Sequence, residues 1–131
     1  ALVRQSPATD RIRLIGRVAE EDKPALYAGA DAFVFPSRYE GFGLTVLEAL
    51  ACGTPVVCSN AASLPEVAGD AALLVAPGDL GGLSAAIDRV LSDPLLRADL
   101  RSRGPRQAAR FSWRRTAEAT LSAYREAAAG D

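Results

Sequence analysis

Glu40 and Glu48, with seven residues between them, flank a turn containing Gly41, Phe42 and Gly43. A carboxylate accepts hydrogen bonds from two sugar hydroxyls at once. The residues after the turn, Leu44-Thr45-Val46-Leu47, are apolar enough to open a helix. A helix start offers unpaired N–H groups and the positive end of a dipole to an anion. Thr45 adds a hydroxyl, and the glycines let the backbone approach a ligand closely. Such a set suits a ligand with sugar rings at both ends of a phosphate. A glycosidase acid/base pair competes, with carboxyls roughly 5–9.5 Å apart. Were Glu40–Glu48 helical throughout, it would span about 12 Å, but the turn leaves the spacing open. The plain alternative is a solvated loop glutamate and a helix surface charge, and spacing alone favours it. A second, weaker place is Gly16-Arg17-Val18, where Val18 could give apolar contact to a nucleobase; the residues by themselves favour a simple strand-ending turn.

The composition narrows the chemistry. The chain has 131 residues, about half of them apolar, with a net charge of −1. That is the profile of a globular domain, not of a disordered tail or a nucleic-acid binder. At this length roughly two thirds of the unfolded surface can be buried. Histidine is absent, which removes a Ser-His-Asp triad and histidine-ligated metals. Cys52 and Cys58 lack C-x-x-C spacing and read as two small hydrophobes in a reducing compartment. No apolar run approaches a membrane span.

The elements that must position these groups alternate along the chain. Ile12–Val18 reads as a strand, Glu20–Gly29 as a short helix with Pro24 in its first turn, and Asp31–Pro36 as a strand buried on both faces. A loop from Ser37 to Gly43 leads to a helix from Leu44 to Cys52, which Gly53 stops. Pro55–Ser59 and Ala71–Ala76 are further strands, with a short helix Leu64–Ala68 between them. Leu80, Leu83, Ile87, Val90 and Leu91 fall at helical spacing. Pro94–Arg110 gives one or two helices interrupted at Gly104-Pro105, and Ser112 caps a last helix to about Ala128. This order predicts an α/β fold with a Rossmann-like parallel sheet. Residues 1–11 read as a lead-in segment and residues 12–131 as the domain. In an open parallel sheet, ligands sit beyond the carboxyl ends of the strands, which is where the Glu40 loop falls.

Glu40 to Glu48 is an E-x7-E motif that runs on into Ala49-Leu50-Ala51-Cys52-Gly53-Thr54-Pro55-Val56-Val57 and is preceded by Asp31-Ala32-Phe33-Val34-Phe35-Pro36-Ser37. With Leu64-Pro65-Glu66-Val67, Ala72-Leu73-Leu74-Val75 and Phe111-Ser112-Trp113, it resembles the group 1 family of retaining glycosyltransferases from about Ile12 to Tyr124. The resemblance implies the carboxy-terminal donor domain of a GT-B fold, moving a sugar from a nucleoside diphosphate sugar to an acceptor. Glu40 would then be the catalytic-site carboxylate on the donor sugar, and the backbone of Gly41, Phe42 and Gly43 would line that sugar. The Leu44 and Thr45 amides would meet the diphosphate, Glu48 would hold the ribose diol, and Val18 would bracket the base. No metal and no cofactor are implied; the nucleotide sugar is a substrate.

The family's donor domain also carries two earlier strand–helix units with an Arg and a Lys for the diphosphate. Arg4, Arg11, Arg13 and Lys23 do not match them. The domain is therefore expected to be incomplete, partnered by the acceptor domain of its parent or by a second copy that completes the sheet, and inactive alone. The alternative is a catalytically silent nucleotide-binding or oligomerisation module. A dehydrogenase is disfavoured, because no G-x-G-x-x-G follows a strand. Seven arginines between Arg97 and Arg115 suit either a peripheral contact with anionic lipid or solvated helix faces. The lack of a membrane-binding apolar stripe favours the second. A cytoplasmic location is expected, with the inner face of the membrane as the alternative, and no nucleic-acid partner. Trp113 reads as a packing anchor.

Overall fold

The computed structural model describes residues 2–130; Ala1 and Asp131, the outer limits of the two predicted segments, lie outside them. Three parallel strands, β1 (Phe33–Phe35), β2 (Val56–Ser59) and β3 (Ala72–Val75), form one sheet in the order β1-β2-β3. The register pairs Phe33 with Val56 and Val56 with Ala72. The helices are α1 (Leu2–Gln5), α2 (Lys23–Ala28), α3 (Leu44–Ala51), α4 (Leu64–Ala68), α5 (Leu80–Ser92), α6 (Pro94–Ala108) and α7 (Trp113–Ala129), with a 3-10 turn at Thr9–Arg11.

The unbroken apolar run of β2 follows from burial on both faces. Val56 and Cys58 pack with Val46, Ala49, Leu50, Leu64 and Val67 from α3 and α4. Val57, pointing the other way, packs with Val90 of α5 and Leu100 of α6. Two cores thus share one strand. On α5 the buried stripe is Leu83, Ala86 and Val90, whereas Leu80 is 78% and Leu91 47% exposed. Leu91 lies one residue, about 100° around a helix of 3.6 residues per turn, from buried Val90.

Helix caps follow the sequence. Asp79 accepts from Gly82 N at 2.8 Å, and Asp93 accepts from Leu95 N and Leu96 N at 3.0 Å just ahead of Pro94. Ser112 accepts from Arg115 N at 3.2 Å.

Two expectations are corrected. Ile12–Val18 forms no strand; Leu14 is 82% and Ile15 61% exposed. A strand exists only by pairing. In a Rossmann order of 3-2-1-4-5-6, the third strand borders the second, not the fourth, so the three strands present offer this segment no neighbour. The second correction is at Gly104-Pro105, where α6 runs through without a break. Contact with α3 holds it: a Cβ on Gly104 would lie 2.7 Å from the Leu50 carbonyl oxygen, so the two helices touch backbone to backbone. Arg101 braces the same helix by donating to Ala30 O at 3.1 Å, and Arg97 donates to Leu91 O at 2.8 Å.

Gly104→Ala is expected to cost about 1–3 kcal/mol in urea denaturation, because the added methyl must push backbone apart. Gly81→Ala, in α5 with only Asp79 Oδ1 at 3.6 Å, should instead stabilise by about 0.5–1 kcal/mol. Equal effects at the two sites would refute the close packing of α3 on α6.

Candidate donor site at the head of helix α3

The chain leaves β1 at its carboxyl end and reaches α3 through Pro36–Gly43. Gly43 has φ 104 and is the residue before the helix. A Cβ there would stand 2.7 Å from Leu64 Cδ2, so both conformation and space require glycine. The first bond of the helix is from Leu47 N to Gly43 O at 3.1 Å. No side chain caps it, and among the described residues the amides of Leu44 and Thr45 have no acceptor. Leu44 and Thr45 are exposed. The helix start is therefore open to an anion.

Glu40 is half-buried, and its Oε1 accepts from Ser37 Oγ at 2.8 Å. Its carbonyl, like that of Phe42, accepts from Ser63 Oγ, at 2.9 and 2.7 Å. Glu48 lies four residues past Leu44, about 6 Å along the helix axis at 1.5 Å per residue. It lines a cavity of about 230 Å³ with Glu20, Lys23, Pro24, Tyr27, Ala51 and Cys52. The Tyr27 hydroxyl donates to Glu48 Oε2 at 3.2 Å. Buried Thr54 donates to Tyr27 O at 2.7 Å, and the Tyr27 ring meets Phe33 edge-on at 5.3 Å. Burial first, then the charge and hydrogen bond of Glu48, push the Tyr27 phenol up to about 12. Glu20 pairs with Lys23 at 2.7 Å on the rim, and its hydrogen bond is the chief cause that raises the ammonium pKa.

Glu40, Gly41, Phe42, Gly43, Leu44, Thr45 and Glu48 thus lie on one continuous loop and helix, with a carboxylate at each flank. Val18 sits in the irregular segment before α2 and does not line the Glu48 cavity. A second cavity of about 380 Å³ beside the helix start is mostly apolar, lined by Phe42, Leu44, Leu47, Phe111 and Trp113. Phe42 and Phe111 meet edge-on at 5.8 Å. Trp113 is 80% exposed on this rim, not an internal packing anchor as its sequence position suggested. Tyr27 and Ser63 escape a reading by motif. Only their contacts reveal them, since each reaches a residue at least 21 positions away in the chain.

Residues 1–107 match the family model described as "Glycosyl transferases group 1". The chain belongs to that family. An O-antigen chain mannosyltransferase B of Escherichia coli is 49% identical over 95% of this chain and 32% of its own length. The "MMP alpha-(1->4)-mannosyltransferase" of Mycolicibacterium hassiacum is 38% identical over 98% of this chain and 32% of its own. Among solved structures, a sucrose-phosphate synthase from Thermosynechococcus elongatus superposes with TM-score 0.86 at 34% identity, over 99% of this chain and 33% of that one. This group 1 chain therefore has the α/β fold of a GT-B glycosyltransferase and spans about a third of the length of the curated relatives it matches. No described helix is long and apolar enough to cross a membrane.

The Tyr27–Glu48 contact can be checked by titration. The fold favours the neutral phenol, so its stabilising contribution is complete below the ordinary pKa of 10.0 and is lost as pH rises through about 12. Glu48→Gln removes the charge but keeps an amide oxygen that can accept from the phenol, and should lower the Tyr27 midpoint in an ultraviolet titration, while burial keeps it above 10.0. An unmoved midpoint would mean that the two side chains do not meet.

Proposed function

We propose that residues 12–131 belong to the donor-binding part of a retaining glycosyltransferase. The reaction is transfer of a sugar from a nucleoside diphosphate sugar to an acceptor held by the rest of the parent protein. The observation that carries this is the uncapped head of α3, with Gly43 pressed on Leu64 and a carboxylate on each side.

In this reading the diphosphate lies on the Leu44 and Thr45 amides, where helix dipole and free N–H groups favour negative charge. Glu40 accepts from donor-sugar hydroxyls beside the Gly41-Phe42-Gly43 backbone. Glu48 takes the ribose diol through the oxygen that Tyr27 leaves free, and Val18 comes against the base once its segment is paired. The names of the two relatives described above make a mannosyl donor the first to test. Free Cys52 and Cys58 agree with a reducing, cytoplasmic setting.

Calorimetric titration of the full-length enzyme with GDP-mannose and UDP-glucose tests this. Glu48→Gln should weaken nucleotide-sugar binding about 10- to 100-fold, the worth of a charged hydrogen bond of about 1.5–3 kcal/mol. Glu40→Gln should leave nucleoside diphosphate affinity near wild type yet slow transfer about 100-fold. Wild-type enzyme that binds no nucleotide at millimolar concentration would overturn the assignment, as would Glu48→Gln with unchanged affinity.

A further inference from the structure

One hydroxyl ties the Glu40 loop to the start of α4. Ser63 Oγ lies 2.9 Å from Glu40 O and 2.7 Å from Phe42 O. A hydroxyl carries a single proton, so it is shared between the two carbonyls or alternates between them. Peptide planarity carries the consequence further. In a trans peptide the carbonyl and the following N–H point in opposite directions. With the carbonyls of Glu40 and Phe42 drawn to Ser63, the amides of Gly41 and Gly43 face away from α4. Neither amide has an acceptor among the described residues. The place a Gly41 side chain would occupy has nothing within 4 Å.

The residue that presents Ser63 is itself constrained. Ala62 has φ 48, the one non-glycine residue with positive φ among those described. An alanine there is strained, and such a conformation persists where its surroundings over-determine it. The turn continues into α4 through Leu64 N to Ala61 O at 3.1 Å. Leu64 is the same side chain that excludes a Cβ at Gly43. Two consecutive residues of one turn, Ser63 and Leu64, thus hold the loop at Glu40, Phe42 and Gly43.

We infer that Ser63 is a positioning residue that orients the Gly41 and Gly43 amides toward oxygens of the donor. This rests on the reading of the Glu40 loop as the donor site. Ser63 does not touch the donor; it acts by holding peptide planes, and its effect falls on the donor and not on the acceptor.

Ser63→Thr and Ser63→Val in the full-length enzyme have nearly the same shape and differ in the hydroxyl. The Thr variant should keep the donor KM, and the Val variant should raise it about five- to tenfold, the worth of roughly 1 kcal/mol of hydrogen bonding. The acceptor KM should stay put in both. Glycine-selective amide spectra should show Gly41 and Gly43 shifting on donor addition in wild type and Thr, with the shift reduced in Val. Ser63→Ala, which adds no atoms, should reproduce Val and guards against a crowding artefact. Equal donor KM in Thr, Val and Ala, with Gly41 and Gly43 still shifting, would overturn the role of Ser63 while leaving the donor site intact. No shift at these amides in wild type would instead overturn the donor-site reading beneath it.

Discussion

At Gly43 the chain takes a left-handed turn with φ 104, and Leu64 occupies the space a side chain would need, 2.7 Å from the absent Cβ. Much of the upper surface follows from that contact. It sets where α3 starts, so that Leu44 and Thr45 present unpaired amides. It seats the loop against α4, within reach of Ser63. It also fixes which way the helix then runs, and so places Glu48 beside Tyr27. A substituent at Gly43 would have to displace a fully buried leucine of the core, so the loop inherits the rigidity of the interior.

That interior is organised by β2. Its four residues are buried, and Val56, Val57 and Cys58 alternate between a core under α3 and α4 and a core under α5 and α6. Interiors packed near crystal density do not yield gradually, so α3 is held by its neighbours and not by its own eight residues. An isolated helix of that length would be marginal in water. Far from the loop, Gly104 brings α6 onto the Leu50 backbone at the other end of α3. The helix is thus held at its last turn by one glycine contact and at its head by another. The Leu44 and Thr45 amides stay free because the holding is done elsewhere.

The exposed parts tell a consistent story. Among the described residues, Ile12–Val18 is unpaired, β1 has no partner on its outer edge, and α7 buries no residue. The group 1 relatives described above are about three times longer than this chain. Apolar side chains such as Leu14 and Ile15 are strand-like in sequence, and a strand needs a ladder to join. Glu40 and Glu48, by contrast, reach their places within the 131 residues, because loop, helix and supporting core are all present.

From the amino-acid sequence alone came the α/β order, the three strands within Asp31–Pro36, Pro55–Ser59 and Ala71–Ala76, the cap at Ser112 and the stop at Gly53, and the E-x7-E motif with its glycines. These are legible because each depends on local chemistry: a run of apolar residues, a fixed φ, a side-chain oxygen next to a free N–H. Tertiary structure alone decided that Ile12–Val18 is not a strand, that α6 passes unbroken through Gly104-Pro105, and that Trp113 stands in the open. It alone brought Tyr27 to Glu48 across 21 residues of chain and Ser63 to Phe42 across another 21. Those outcomes depend on which surfaces meet, and no pattern along the chain records a partner that arrives from elsewhere in space.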